Sequence, residues 1–334
     1  MKITKKVLYK FLSKYGKRGY AIVHAQDFDG IASAALLMHY FNMPAEHIFF
    51  GKPGRRITTV FKEIKRKMPK NNLVVIADIA YNSVVHDEIN NMITAIKSNG
   101  NYIAWIDHHA IDAKGRKILN MCDFLMAKEY KNCATELIYK NIIKPAKGAD
   151  EYGKNICTLA HISDFNIENL KYREMLKIIG GAISFLSNKG NLQNLRKMAS
   201  FISKNELQNK FIKANYLRYV KESKKNMGAL LRNSKVYVFG GKRIGIGFGK
   251  NVASNEACYA IKKKTKCDIS IYINIKENVL HLRSWGVECL SIARYFGGNG
   301  HPYACGADIM NMDLNKIENK KKILKEIEIS ASKF

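Results

Sequence analysis

The sequence predicts an α/β protein: a doubly wound parallel-sheet domain, then a helical connector, then a smaller α/β domain. Three observations carry this expectation. Short β-rich runs alternate with helical ones from Tyr20 to about Tyr139, a lysine- and asparagine-rich stretch of helical period fills 188–232, and a second alternating series starts near Lys235. The expected boundaries are therefore 1–187, 188–232 and 233–334.

In the first series, the run Tyr20–Ala25 precedes a helix at Gly30–Phe41, and His47–Phe50 precedes Arg55–Lys67. Leu73–Ala77 precedes Val84–Ser98, and Tyr102–Ile106 precedes, after a loop, Cys133–Ile143. Strand and helix in regular succession imply right-handed crossovers, hence a parallel sheet covered on both faces. Asp150 to about Phe185 is apolar at helical spacing and is expected to finish this domain as packed helices. The stripe Leu195, Met198, Phe201, Ile202, Leu207, Phe211 gives the connector its helical period and an apolar side suited to domain packing. In the second series we expect strands at Val236–Phe239, Arg243–Phe248, Asp268–Ile275 and Val279–Ser284, and helices at Ala253–Lys263 and Val287–Tyr295. A glycine-rich loop, GGNGH, follows at Gly297–His301, and the Lys/Glu-rich end, Leu314–Lys333, is expected as a solvent-facing helix.

At 47% hydrophobic and 25% charged residues, the composition is that of a folded globular chain and argues against disorder. Lys and Arg number 56 against 28 acidic residues, a net charge of +28 spread along the chain. A Lys-rich proteome would raise such counts by itself, but a surface of this sign also suits a polyanion, above all nucleic acid, whose binding releases counterions. Seven cysteines form no CxxC pair and no His-Cys cluster, so reduced, mostly buried thiols are expected. Met1–Arg18 lacks the apolar core of a secretory leader, and no stretch approaches the roughly 20 apolar residues of a membrane span, so a cytoplasmic location is expected.

The residues that bear chemistry are acidic and sit at strand ends. Asp107, His108 and His109 follow the apolar run Tyr102–Ile106, which puts a carboxylate and two imidazoles at the sheet edge where open α/β sheets bind ligands. His24, Asp27 and Asp29 lie in the turn after the first strand, with Gly30 allowing a tight exit; two such aspartates are also common as helix caps. Asp78 ends VVIAD and Asp164 closes LAHISD. Five carboxylates meeting at one edge would repel one another by several kcal/mol even at an effective dielectric of about 20, so bound cations are the natural company. Oxygen-rich ligation with a few imidazoles suits Mn²⁺ or Mg²⁺ better than Zn²⁺. Two such ions bridged by one carboxylate would activate water and stabilise an in-line displacement at phosphorus, which points to phosphodiester hydrolysis.

Taken in order, HAQDFDG, the aspartate of VVIAD, IDHHA, the aspartate of HISDF, HLRSWG and GGNGHPYACG resemble the DHH phosphoesterase superfamily, with the first motif most similar to archaeal RecJ-like nucleases. The likeness spans nearly the whole chain, and its last two motifs resemble the DHH-associated C-terminal domain. It implies that His24 and Asp27 bind one metal ion, that Asp29, His108 and Asp164 bind the other, and that Asp78 bridges them, with Mn²⁺ the expected ion and Mg²⁺ the alternative. It implies further that Asp107 orients the histidines, that His109 touches the scissile phosphate or moves a proton, and that Ser33 supports the first turn. Arg283, His301 and the amides of Gly298 and Gly300 would grip a neighbouring phosphate. Asn299 interrupts the usual glycine run, Cys305 replaces a customary alanine, and Asp78 is followed by Ile-Ala-Tyr rather than glycine.

The expected function is that of a two-metal, RecJ-like exonuclease on single-stranded DNA or RNA, with its site in the cleft between domains and the GINS replication complex as an implied partner. Alternatives are a phosphodiesterase of nanoRNA or cyclic dinucleotides, and a non-catalytic DHH-fold subunit of a replication complex; the filled ligand positions argue against the latter. His39, His47, His86, His161 and His281 are expected in ordinary surface or core roles, His161 with a chance of supporting Asp164. Trp285, Tyr295, Phe296 and Tyr303 are candidates for stacking on bases as well as for plain packing.

Overall fold

The computed structural model describes residues 4–51, 55–67, 69–127, 131–309 and 312–332. It divides into two compact units, Met1–Leu217 and Arg218–Phe334.

The first unit contains helix α1 (Lys5–Tyr15), strand β1 (Tyr20–His24), α2 (Phe28–Phe41), β2 (Ile48–Gly51), α3 (Arg55–Lys67), β3 (Leu73–Ala77), α4 (His86–Ser98), β4 (Tyr102–Asp107), α5 (Ala113–Leu119) and β5 (Phe124–Ala127). It continues with α6 (Ala134–Ile138), a π-turn at Tyr139–Ile143, α7 (Lys144–Lys147), α8 (Glu151–Asp164), α9 (Arg173–Asn188) and α10 (Leu192–Ser203); α11 (Lys210–Asn233) carries the chain into the second unit. The strands form a parallel sheet in the order β2-β1-β3-β4-β5. Alternation along each strand divides its side chains between two cores. Ala21, Val23, Val75, Ala77, Ala104 and Ile106 face the helices α1, α2, α8, α9 and α10. Ile22, Val74, Ile76, Ile103 and Trp105 face α3, α4 and α5. Burying such a side chain fully contributes about 1.5–3 kcal/mol, so a one-residue slip, which exchanges the faces, would be strongly opposed. The fold class is the doubly wound one the sequence predicts.

The order reverses at β1, between β2 and β3, and in sheets of this order the ligand crevice lies at that switch point. His24 ends β1, Asp78 follows β3 and Asp107 ends β4, so these residues flank it on one sheet edge.

In the second unit, β6 (Lys235–Phe239), β7 (Lys242–Gly249), α12 (Ser254–Thr265), β8 (Ile269–Asn274), β9 (Val279–Ser284), α13 (Leu290–Tyr295), β10 (Asn299–His301), β11 (Ala304–Asp308) and α14 (Ile317–Ala331) follow one another. The sheet order is β10-β11-β9-β8-β7-β6; β7 and β8 pair in parallel across the α12 crossover and the other pairs are antiparallel. One sheet face buries Ile244, Ile271, Leu282 and Cys305 with α13 and α14, and the other buries Tyr272 with Leu230, Ala257, Cys258 and Ile261.

The structure departs from the expected elements in several places. The stretch expected as a helical connector, 188–232, holds α10, whose Leu195, Met198, Ala199 and Ile202 lie in the first core, because their spacing gives that helix one wholly apolar side. The glycine-rich loop is partly a strand, with Asn299, Gly300 and His301 paired to Gly306, Cys305 and Ala304. The C-terminal helix buries Ile323, Ile327 and Ala331, a stripe at four-residue spacing that its abundant lysines disguise. β5, β11, α1 and α5 were not expected at all. Among the described residues no helix is long and apolar enough to cross a membrane.

Candidate metal centre

Asp27 caps α2, its Oδ1 accepting from the Gly30 amide at 3.1 Å while its Oδ2 lies 2.6 Å from His24 Nδ1. Gly30 is required by closeness rather than by backbone angle: a Cβ there would stand 2.2 Å from the His24 carbonyl oxygen. Asp29, buried in the first turn, reaches out of its own helix. Its carboxylate accepts from the amides of Ala134 and Thr135 at 2.7 and 2.8 Å, and Thr135 Oγ1 donates to the Asp29 carbonyl at 2.9 Å. The capping role foreseen for this pair of aspartates is thus real, and for Asp29 the capped helix is α6. Ser33 Oγ, 3.2 Å from Thr135 Oγ1, ties α2 to the same helix start.

Asp78 turns the chain at the end of β3 with φ +56, a left-handed conformation that only a short polar side chain or glycine adopts readily. Its amide donates to Ile106 O at 3.1 Å, which fixes it against β4. From there one oxygen lies 3.6 Å from His24 Nδ1 and the other 3.5 Å from His108 Nε2. His108 Nε2 also stands 3.5 Å from Asp164 Oδ2 and 3.8 Å from Asp29 Oδ2. Asp107, fully buried, places Oδ1 2.9 Å from His109 Nδ1.

The electrostatics follow from this crowding. Burial, reinforced by the charges of Asp27 and Asp29, pushes the Asp78 carboxyl well above its ordinary range. Burial also dominates at Asp164, where the pull of His108 is outweighed with help from Asp29 and Asp78, and the carboxyl rises to about 8. At His24 burial works against the charged ring, but Asp27 and Asp78 overcome it and hold the imidazole well above its usual value. His108 and His109 are likewise raised, against burial, by Asp164 and Asp107 respectively. Asp27 and Asp107 ionise more readily than usual despite burial, because His24 and His109 face them.

Two observations decide that divalent cations fit. Asp78 Oδ2 and Asp164 Oδ2 are buried with no hydrogen-bond partner among the described residues, a costly state for a carboxylate oxygen that a cation relieves. His24, Asp27 and Asp78 each offer a ligand atom within 4.8 Å of the others, as do Asp78, Asp107, His108 and His109. Asp78 belongs to both groups. The donors are mostly carboxylate oxygens with a few imidazoles, the set preferred by Mn²⁺ and Mg²⁺ over Zn²⁺.

All six residues named from the sequence as ligands, His24, Asp27, Asp29, Asp78, His108 and Asp164, meet at this edge. Glu136 and His161 were missed as a pair: His161 Nδ1 lies 2.7 Å from Glu136 Oε2, Lys140 Nζ 2.6 Å from Glu136 Oε1, and Phe165 packs between His161 and His108. An acidic residue inside the apolar run CATELI, three places after the start of a helix, was the available signal. The other set-aside histidines have structural contacts: His39 with Ser203 O, His47 stacked on Tyr20, His86 with Tyr81 and His281 stacked on Tyr272.

In the second unit Arg283, Ala304 and His301 stand in one row across β9, β11 and β10. The guanidinium is held by Asn255 Oδ1, 2.9 Å from Nε, and by Leu282 O. The amides expected to cradle a phosphate are engaged within the fold: Gly298 N donates to Ala293 O at 2.8 Å and Gly300 N to Asn299 Oδ1 at 2.9 Å. Gly298 is there for packing, since a Cβ would come within 2.1 Å of Gly306 O.

Residues 20–163 match the DHH family, N-terminal domain. No curated protein sequence matches the chain. Among solved structures, the DHH domain of a member of the s1p family of ribosomal proteins is 15% identical, aligns over 98% of this chain and 89% of its own, and superposes with a TM-score of 0.60. An exopolyphosphatase-related protein from Bacteroides fragilis is also 15% identical, over 96% and 94%, with a TM-score of 0.50. RecJ from Thermus thermophilus, in complex with Mg²⁺, is 9% identical over 98% of this chain and 52% of that one, with a TM-score of 0.43. At these identities the first two likenesses establish the fold.

Proposed function

We propose that the protein is a metal-dependent phosphodiesterase that hydrolyses single-stranded DNA or RNA from an end, in the manner of RecJ-like nucleases. The observation that carries the reading is the position of Asp78, with one carboxylate oxygen toward His24 and the other toward His108. In the proposed assignment His24 and Asp27 hold one divalent cation, Asp29, His108 and Asp164 the other, and Asp78 both. Two bound cations would supply a nucleophilic water at neutral pH and neutralise charge developing at phosphorus.

The chain's own residues do the rest. Asp107 fixes the ring of His109 through Nδ1, so that the ring's other nitrogen is oriented and its proton can be held for the phosphate or the leaving oxygen. The α6 amides keep Asp29 in place. Arg283 and His301 serve as anchors for a flanking phosphate, with the guanidinium and imidazole rather than the glycine amides as donors. Net charge supports a polymeric substrate, and Trp285 and Tyr303, 39% and 54% exposed, supply ring faces on which unpaired bases can stack.

The test uses end-labelled DNA and RNA strands with Mn²⁺, Mg²⁺ or chelator, wild type beside Asp78→Ala, with a dinucleotide in parallel. The reading expects end-on shortening of the long strand that needs a cation and Asp78. Preference for the dinucleotide would favour a small-substrate phosphodiesterase instead, and equal hydrolysis by both proteins would defeat the mechanism.

A further inference from the structure

All seven cysteines are buried and none is in a disulfide, yet two of them touch. Cys289, just before α13, and Cys305 on β11 bring their Sγ atoms to 3.5 Å, and Cys305 Sγ lies 3.4 Å from the Cys289 carbonyl oxygen. Among the described residues no other pair of cysteine sulfurs is in contact. Cys289 N donates to Pro302 O at 2.8 Å, so the same junction ties α13 to the β10–β11 turn. At 3.5 Å the two sulfurs are in van der Waals contact, about 1.5 Å beyond the disulfide bond length of about 2.05 Å.

We propose that Cys289 and Cys305 are a redox-active pair which hydrogen peroxide converts to a disulfide, stapling the start of α13 to β11 beside the hairpin that carries Gly300 and His301. Cys289 is the attacking sulfur, because the Cys305 thiol is directed at the Cys289 carbonyl oxygen, 3.4 Å away. The Cys305 sulfur beside it, opposed by burial and aided by Ser284 and Arg283, holds its thiol below the ordinary range. Burial drives Cys258 up to about 11, Cys122 up to about 12, and Cys133 and Cys157 higher still. In the first step the Cys289 thiolate attacks one peroxide oxygen; the O–O bond breaks, a sulfenic acid forms and the leaving hydroxide takes a proton to become water. In the second, the Cys305 sulfur attacks the sulfenic sulfur of Cys289, the S–S bond forms, and the hydroxyl leaves as water with the Cys305 proton. Two thiols lose two electrons and two protons, and one peroxide becomes two waters.

The experiment treats the full chain with hydrogen peroxide, denatures it, alkylates it without reductant and maps the peptides by mass, with a dithiothreitol-treated control. The expected result is loss of two alkylatable thiols, a mass lower by 2 Da before alkylation, and one cross-linked peptide joining Cys289 to Cys305 that dithiothreitol abolishes. In Cys305→Ala the cross-link is absent and dimedone traps a sulfenic acid at Cys289. Seven alkylated cysteines after peroxide, a cross-link through any other cysteine, or dimedone capture elsewhere in place of Cys289 would overturn the proposal.

Discussion

Asp78 places Oδ1 3.5 Å from Nε2 of His108 while its second oxygen stands 3.6 Å from His24 Nδ1. One carboxylate from the end of β3 thus spans the two halves of the centre, one formed by His24 at the end of β1 and Asp27 at the cap of α2, the other by Asp29, His108 and Asp164 from α2, the end of β4 and α8. The backbone pays for this with a left-handed residue at φ +56.

Asp78→Asn isolates the charge from the backbone, since asparagine tolerates the same φ. Turnover is expected to fall by at least about 1,000-fold, and the unfolding midpoint in chelator to rise, because the variant removes a buried repulsive group. Asp78→Ala should lose the same activity but, with left-handed strain of about 1–2 kcal/mol, melt lower than Asp78→Asn. Calorimetry of both variants in chelator checks the order.

Stability without cations should decline as the solution becomes alkaline. Asp78 and Asp164 have folded-state values above the unfolded one, so the folded chain holds their protons more tightly; that stability is complete below about 4 and is lost as pH climbs to about 8 for Asp164. His24, His108 and His109, also raised, lose theirs in the upper part of the range, above the ordinary histidine value. Asp27 and Asp107, which are lowered, act oppositely and only in acid. Melting in chelator between pH 6 and 9 should therefore show a falling midpoint that saturating Mn²⁺ flattens; a midpoint rising with pH in chelator would contradict the assigned shifts.

Asp107→Asn leaves a hydrogen-bonding group beside His109 but removes the charge that raises its pKa. Turnover should drop about 10- to 100-fold, with the cation affinity of the His24 and Asp27 half retained and any limb of the pH–rate profile due to His109 moved to lower pH. An unchanged profile would remove His109 from proton handling.

Gly30→Ala drives a methyl into the His24 carbonyl oxygen, 2.2 Å from the built position. A cost of about 3 kcal/mol or more is expected, since backbone rather than a flexible side chain must yield. Denaturant unfolding of the variant measures it.

The chain has two tryptophans, Trp105, which is fully buried, and Trp285, which is 39% exposed with Lys262 Nζ 3.8 Å from its ring centroid. Fluorescence quenching by an oligonucleotide in chelator therefore reports Trp285. The proposed substrate predicts quenching that weakens steeply between ~50 and 200 mM salt and vanishes in Trp285→Leu. Salt-insensitive fluorescence would count against a stacking role.

The sheet of the first unit could be foreseen because β1, β3 and β4 are buried on both faces and announce themselves as unbroken apolar runs, each ending in an acidic residue or leading into one. β5 and β11 could not: at four and five residues, with Met126, Cys305 and glycine among them, they carry no pattern apart from the partners they pair with. At the site, residue types and strand ends pointed to carboxylates and imidazoles that do meet at one edge, whereas the anchoring of Asp29 by α6 joins residues 105 apart in sequence, and only the fold brings them together. The glycines of GGNGH carry two readings, because close packing and phosphate binding call for the same residue.

The central claim is that one carboxylate, Asp78, joins two cation sites. Electron paramagnetic resonance of the protein loaded with two equivalents of Mn²⁺ tests it most directly. The account predicts an exchange-coupled spectrum of paired ions that reverts in Asp78→Asn to the signal of isolated Mn²⁺; an isolated-ion signal from the wild type at two bound equivalents would contradict it.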